Sequence, residues 1–261
     1  MDIVEYNRNA WNVQSKEGCR WTTPFQLERI EAARKGDWEV RLTPNRDVPR
    51  TWFPEDLTGC RILCLASGGG QQAPLFAAAG AKVISLDSSD VQLDKDVETA
   101  NAAGVEVTVE LGDMADLSRF EDGSFDLIFN PVSNVFAEAV RPIWNECSRV
   151  LRDGGSLLTG FMNPCFYLFD HDLLEETGEL TVAYKVPFSE LEQLPPEELE
   201  ARIDAQLSME FGHTLEDQIA GQLDAGLLMA GFYEDDWDDE STSLNPYFPI
   251  YMASRAIKMK V

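Results

Sequence analysis

Basic residues are scarce in this 261-residue chain: 21 lysines and arginines stand against 46 aspartates and glutamates, for a formal net charge of -25. Nucleic-acid binding draws its affinity from cations that neutralise phosphates, so this balance argues against DNA, RNA or an anionic membrane as a partner. Histidine is scarcer still. His171 and His213 are the only two, far apart in sequence, and no zinc site is expected. The five cysteines (Cys19, Cys60, Cys64, Cys147 and Cys165) are odd in number and form no C-x-x-C pair. Without a disulfide framework, and with no leader-like or long apolar stretch at the N-terminus, the expected setting is the reducing cytoplasm. Internal repeats and low-complexity segments are also missing.

What the chain does have is enough apolar residue, 44% of the total, to bury a full core at this length. Residues 1 to 58 alternate polar and aromatic stretches and read as a helical lead-in, with one helix in PFQLERIEAARKG capped by Thr23, opened by Pro24 and closed by Gly36. From Cys60 a new rhythm begins. RILCLA, KVISLD, VEVTVEL, FDLIFN and SLLTGFM read as strands, with helical stretches between them that imply right-handed crossovers and a parallel sheet. This core runs over residues 59 to 163. Residues 164 to 212 break the rhythm with an aromatic, acidic, proline-interrupted insertion, placed to cover the carboxyl edge of the sheet as a lid. Residues 213 to 261 return to order with a helix in TLEDQIAGQLDAGLLMAG, a short strand near FYEDDW and a final strand in PIYMASRAIKMKV.

Open α/β sheets bind ligands at the carboxyl ends of their strands, and the first strand-to-helix turn is the usual place. Here that turn is ASGGGQQ, where Ala66, Ser67, Gly68, Gly70 and Gln71 are candidate contacts because glycine lets a ligand approach main-chain N–H groups. The second strand ends on Asp87 and Ser88, which places a carboxylate where it can accept hydrogen bonds from a ribose diol. After the third strand, LGDMADL offers Asp113 as an acceptor for an adenine amino group and Met114 as an apolar surface for its ring; Asp116 reads as solvated. The pattern Gly68-x-Gly70-x-x-Ala73 also satisfies a dinucleotide fingerprint.

Taken together, ASGGGQQ, the acid in SLDSS, the GDM triplet, SFDLIFNPVS and WNECSRVLRDGGSLL resemble the class I S-adenosylmethionine-dependent methyltransferases, nearest to their small-molecule, quinone-biosynthesis-like branch. The resemblance covers roughly residues 60 to 163. It implies a doubly wound, Rossmann-like sheet of seven mostly parallel strands with the last antiparallel, S-adenosylmethionine as cofactor, and further contacts from residues after the fourth strand such as Asn130 and Ser133. The chain also departs from the family pattern. Many members carry an acid near the end of the first strand and a glycine two positions on, where Cys64 and Ala66 stand here, so the cofactor's amino-acid end needs another hold. The tetrad NPVS keeps only two positions of the Asn-Pro-Pro-aromatic set of amino-group methylases.

The expected reaction is in-line methyl transfer to a small-molecule acceptor. His213 and His171 are candidate bases, with Tyr167 and Trp11 as substrate contacts. His213 precedes Thr214, a candidate helix cap, so a structural role competes there. Two other functions compete with this one: an NAD-dependent oxidoreductase, for which no Tyr-x-x-x-Lys pair is found near the fourth or fifth strand, and a cofactor-binding protein without transfer activity.

Overall fold

The computed structural model describes residues 1–238 and 241–260. Its strands are β1 (Arg61–Leu65), β2 (Lys82–Asp87), β3 (Val107–Leu111), β4 (Phe125–Asn130), β5 (Leu151–Met162), β6 (Phe188–Ser189), β7 (Phe211–Gly212), β8 (Leu227–Asp235) and β9 (Tyr251–Lys258). The helices are α1 (Ile3–Lys16), α2 (Leu27–Ala33), α3 (Gln72–Ala78), α4 (Asp90–Ala103), α5 (Arg141–Val150), α6 (His171–Thr177), α7 (Glu190–Gln193), α8 (Pro196–Asp204) and α9 (Gly221–Asp224).

Seven strands form one sheet in the order β3-β2-β1-β4-β5-β9-β8, while β6 and β7 make a separate antiparallel ribbon. β1 pairs in parallel with both β2 and β4. The last strand, β9, is antiparallel to β5 and β8, on either side of it, as the resemblance implied. Strand order reverses between β1 and β4, so the helices that follow these strands leave on opposite faces and a crevice opens at their carboxyl ends.

The alternation of β1 shows how this comes about. Ile62 and Cys64 pack with Phe76 of α3 and Phe129 of β4, while Leu63 and Leu65 pack with Trp144 and Cys147 of α5 on the other face. A strand buried on both faces reads as a continuous apolar run, which is why RILCLA was legible. Trp38, Val40, Leu42, Trp52 and Phe53 join the Phe76 cluster, so the lead-in shares the core of the sheet.

Three elements depart from expectation. α1 was not foreseen, because the side chains it buries are Ile3, Asn7, Ala10 and Ser15, with no apolar stripe to announce it. α2 starts at Leu27 behind an uncapped Gln26, not at Pro24. The backbone ahead of it is taken by the glycine turn: the Phe25 N–H donates to the Gly70 carbonyl at 2.8 Å, and Gln71 Nε2 donates to the carbonyls of Trp21 and Thr23. The helix expected over residues 214–231 ends at Asp224, where Gly226 turns left-handed with φ +83° and releases the chain into β8. Val261, at the end of the expected final strand, lies outside the described residues.

After β5 the chain forms α6, α7, α8 and the β6–β7 ribbon. Tyr167 and Phe188 pack with Leu244, Ile250 and Tyr251, and Met209 and Phe211 pack with Ile3 of α1. Among the described residues no helix is long and apolar enough to cross a membrane.

Candidate active site

A cavity of about 890 Å³ opens at the carboxyl ends of β1 and β4 and runs from the glycine turn to the segment after β5. Of the residues singled out in the sequence, Trp11, Ala66, Ser67, Gly68, Gln71, Asp87, Ser88, Asp113, Met114, Ser133, Tyr167 and His171 line it. Gly70, Asn130 and His213 do not.

The turn is held by two buried carboxylates. Asp87, 5% exposed at the tip of β2, accepts the Ser89 N–H at 2.8 Å, and the backbone amides of Gly68 and Ser88 also favour its charged form. Burial pushes its carboxyl up to about 7, against the pull of these N–H donors, and the nearby Asp96 charge adds to the rise. Asp96, 1% exposed on α4, accepts the Gly70 N–H, the Ser85 hydroxyl at 2.6 Å and the Ser67 hydroxyl at 3.4 Å. Burial raises it too, while its three donors oppose the rise.

Gly70 therefore faces Asp96 and the lead-in, not the cavity. A Cβ there would lie 2.7 Å from Thr99 Oγ1 and 2.8 Å from Pro24 Cβ, and its φ is +76°. Ala66 holds φ +48°, a conformation that disfavours a side chain and suits glycine. Cys64 is fully buried, and burial first, then the Asp96 charge, raises its thiol well above the usual range, which removes it as a nucleophile. Asp96 of α4 sets a carboxylate beside Cys64, behind the turn and off the cavity wall. Its sequence signal was polarity on a buried helix face, since Gln92, Asp96 and Thr99 turn inward with Leu93 and Ala100.

Asn130 braces the crevice from beneath. It is fully buried, donates to the Leu65 carbonyl and Ser133 Oγ at 2.9 Å each, and accepts from Thr159 Oγ1 at 3.0 Å. This network leaves only Ser133 on the cavity wall. Asp113 accepts the Ala115 N–H at 3.0 Å on the wall beside Met114, whereas Asp116 is exposed and accepts the Ser118 N–H.

His213, expected as a base, stands off the cavity wall. It is buried with Nε2 3.1 Å from the Asn134 carbonyl, and Thr214 caps the next turn by accepting the Asp217 N–H. His171 lines the cavity, stacked on Phe166 at 4.1 Å with Nε2 2.9 Å from the Phe166 carbonyl. Burial lowers its pKa, so it is neutral near pH 7. Trp11 meets Phe136 edge to face at 5.0 Å. Sequence reasoning missed Glu190, Arg202 and Glu210, which also line the cavity.

These walls suit an adenosine-type cofactor with a charged amino-acid end. Asp87 offers acceptors for a diol, and Asp113 with Met114 offers an acceptor beside an apolar surface. Gln72 Oε1 and Gln92 Oε1 are buried, belong to side chains on the cavity wall and have no hydrogen-bond partner among the described residues. An orphaned buried acceptor costs about 1–3 kcal/mol, which a ligand ammonium group would recover.

Comparison with known proteins agrees. Residues 63–159 match the Methyltransferase domain family. A Bacillus subtilis (strain 168) protein named Uncharacterized methyltransferase YbaJ is 45% identical over 257 residues, 98% of this chain and 99% of its own length. A ubiquinone biosynthesis O-methyltransferase of Rhizobium etli (strain CIAT 652) is 28% identical over 130 residues, 48% of this chain and 52% of that one. Among solved structures, an S-adenosylmethionine dependent methyltransferase from Mesorhizobium loti superposes with a TM-score of 0.60 at 19% identity, covering 80% of this chain and 95% of that one. The sheet with its antiparallel last strand, the Asp87 wall and a full-length methyltransferase relative converge: the chain belongs to the class I S-adenosylmethionine-dependent methyltransferases.

Proposed function

We propose that this enzyme transfers a methyl group in line to a small-molecule acceptor held between the cofactor wall and the segment 164–212. The observation that carries the reading is the continuity of the cavity. One space joins Asp87 and the glycine turn to Phe166, Tyr167, Phe169 and Phe188. An aromatic enclosure suits an apolar or ring-bearing molecule. A single continuous space also suits a displacement that gains mainly from alignment and from exclusion of water.

In this reading Asp87 holds the ribose diol, and Asp113 with Met114 holds the adenine. Ser67, Gly68, Gln71 and Ser88 frame the cofactor, and Gln72 with Gln92 receive its ammonium group. S-adenosylmethionine supplies the activated methyl group. The chain's own residues orient the acceptor and exclude water. The net charge of -25 supports a small-molecule acceptor over a polyphosphate.

Calorimetry with S-adenosylmethionine and with NAD, followed by methyl transfer to a small-molecule library and to nucleic acid, tests this. Binding of the methyl donor alone, with transfer to small molecules, is expected. Tighter binding of NAD, or faster methylation of nucleic acid, overturns it.

A further inference from the structure

The wall of the cavity opposite the glycine turn carries a second polar arrangement built from residues distant in sequence. The Tyr167 ring is clamped. Phe188 stacks on it at 5.2 Å, and Gly212 approaches so closely that a Cβ there would lie 2.5 Å from Tyr167 Cδ2. The Tyr167 hydroxyl donates to Glu210 Oε2 at 3.0 Å and lies 3.3 Å from Met162 Sδ. Next to it the Glu210 N–H donates to Glu190 Oε2 at 3.0 Å, and Arg202 Nη2 pairs with Glu190 Oε1 at 2.8 Å. Arg202 thus pairs directly with Glu190, while among the described residues the side chain that donates to Glu210 is the Tyr167 phenol. Tyr167, Glu190, Arg202 and Glu210 all line the cavity.

We propose that Glu210 is the proton acceptor of the methyl transfer, with Tyr167 as its positioning residue, and that the acceptor molecule presents a hydroxyl or ammonium group on an apolar, non-anionic body. This rests on the small-molecule methyltransferase reading above. In the step, a lone pair on the acceptor oxygen or nitrogen forms the bond to the methyl carbon while the carbon–sulfur electron pair returns to sulfur. The proton of that heteroatom passes to the Glu210 carboxylate and then to water. From a hydroxyl it leaves as the new bond forms; from an ammonium group it leaves beforehand and frees the lone pair.

Two further observations fit. Asp170, Asp172 and Glu198 line the same end of the cavity, so a carboxylate or phosphate acceptor meets like charge there. Burial holds the Glu210 carboxyl above the usual carboxylate range, with the Tyr167 hydrogen bond and the Arg202 charge pulling it back down. That direction brings it closer to the working pH of a base. The titratable and charged groups facing Glu210 are Tyr167, Glu190, Arg202 and Tyr251. Burial raises the Tyr167 phenol well above its ordinary value, so it stays a donor.

The test uses the full chain, its Glu210→Gln and Tyr167→Phe variants, and three probes: phenethylamine, 4-methylcatechol and benzoate. Calorimetry reads the binding of each probe, and carboxyl ¹³C NMR of glutamate-labelled protein reads the titration of Glu210. The expectation is that phenethylamine or 4-methylcatechol binds the native protein, that Glu210→Gln weakens it at least about tenfold, and that benzoate does not bind. The Glu210 resonance, identified by its loss in Glu210→Gln, should titrate above the ordinary glutamate range and move higher still in Tyr167→Phe. Where the binding probe is also methylated, Glu210→Gln should lower kcat about 100-fold or more.

The inference is overturned if benzoate binds best, if neither other probe binds, or if binding ignores Glu210→Gln. S-adenosylmethionine affinity, expected to agree within about twofold in all three proteins, reports folding. It also separates the two readings: a native protein that does not bind the methyl donor overturns the function itself, whereas normal donor binding with indifference to Glu210→Gln overturns only this inference.

Discussion

The two ends of the cavity are built in opposite ways. At the glycine turn, the groups that matter lie within one stretch, from Ser67 to Asp96, and main-chain amides converge on the buried carboxylates of Asp87 and Asp96. At the far end, Tyr167 meets Glu210 and Asn7 meets Met209, contacts made by side chains from separate parts of the chain. The first end is fixed by the parallel sheet and is suited to one invariant ligand. The second is an addition to the sheet, where, in the function proposed above, the acceptor is held apart from the donor.

The sharpest way to break this comparison is Gly70→Val. Its Cβ meets Thr99 and Pro24 at sub-contact distances in a left-handed backbone, so both the turn and the strap at Phe25 must move. Methyl-donor affinity should fall about 100-fold or more by calorimetry, with a lowered melting temperature. Asp96→Ala comes next. It leaves the Gly70 N–H without its buried acceptor, at about 1–3 kcal/mol, and the Ser85 hydroxyl with Ser67 Oγ alone, whereas Asp96→Asn keeps an acceptor and should recover part of the loss. Chemical denaturation of the two variants checks the order. Equal effects would show that the carboxylate from α4 does not organise the turn.

What the sequence disclosed follows the same division. β1 was legible because both its faces are buried, and Asp87 because the acid ends a strand beside a glycine turn. Asp96 was not, since a carboxylate on a helix reads as a solvated face until the packing of α4 turns it inward. α1 stayed hidden because it buries Asn7 and Ser15 in place of leucines. Glu210 stayed hidden because no local pattern ties it to Tyr167. The helix expected from Thr23 failed where a tertiary contact, the Gly70 carbonyl, claimed the Phe25 amide. The segment 164–212 also buries Met209 and Phe211 against Ile3, so its deletion would expose α1, and point changes are the cleaner probe.

Smaller effects sharpen the picture. Asp113→Ala should weaken methyl-donor binding several-fold while Asp116→Ala does not, because only Asp113 stands on the cavity wall. Ala66→Gly should be the mildest change and the one that helps. It relieves a positive φ of +48° and is expected to stabilise the fold by about 0.5–1 kcal/mol in urea denaturation, with donor affinity unchanged.

The most direct measurement is methyl-donor affinity against pH in the native protein and in Asp87→Asn. Burial raises the Asp87 carboxyl to about 7, so without ligand it tends to hold a proton below that pH, and the free fold loses stability as pH rises from about 4 through about 7. A ribose diol donates to the ionised form, so binding expels that proton. Affinity for S-adenosylmethionine should therefore climb with pH, by up to about tenfold per unit below pH 7, and level off above it, while Asp87→Asn binds at least about tenfold more weakly at pH 8 and shows no such climb. An affinity independent of pH in the native protein, or an identical profile in Asp87→Asn, would contradict the assignment of this wall as the cofactor site.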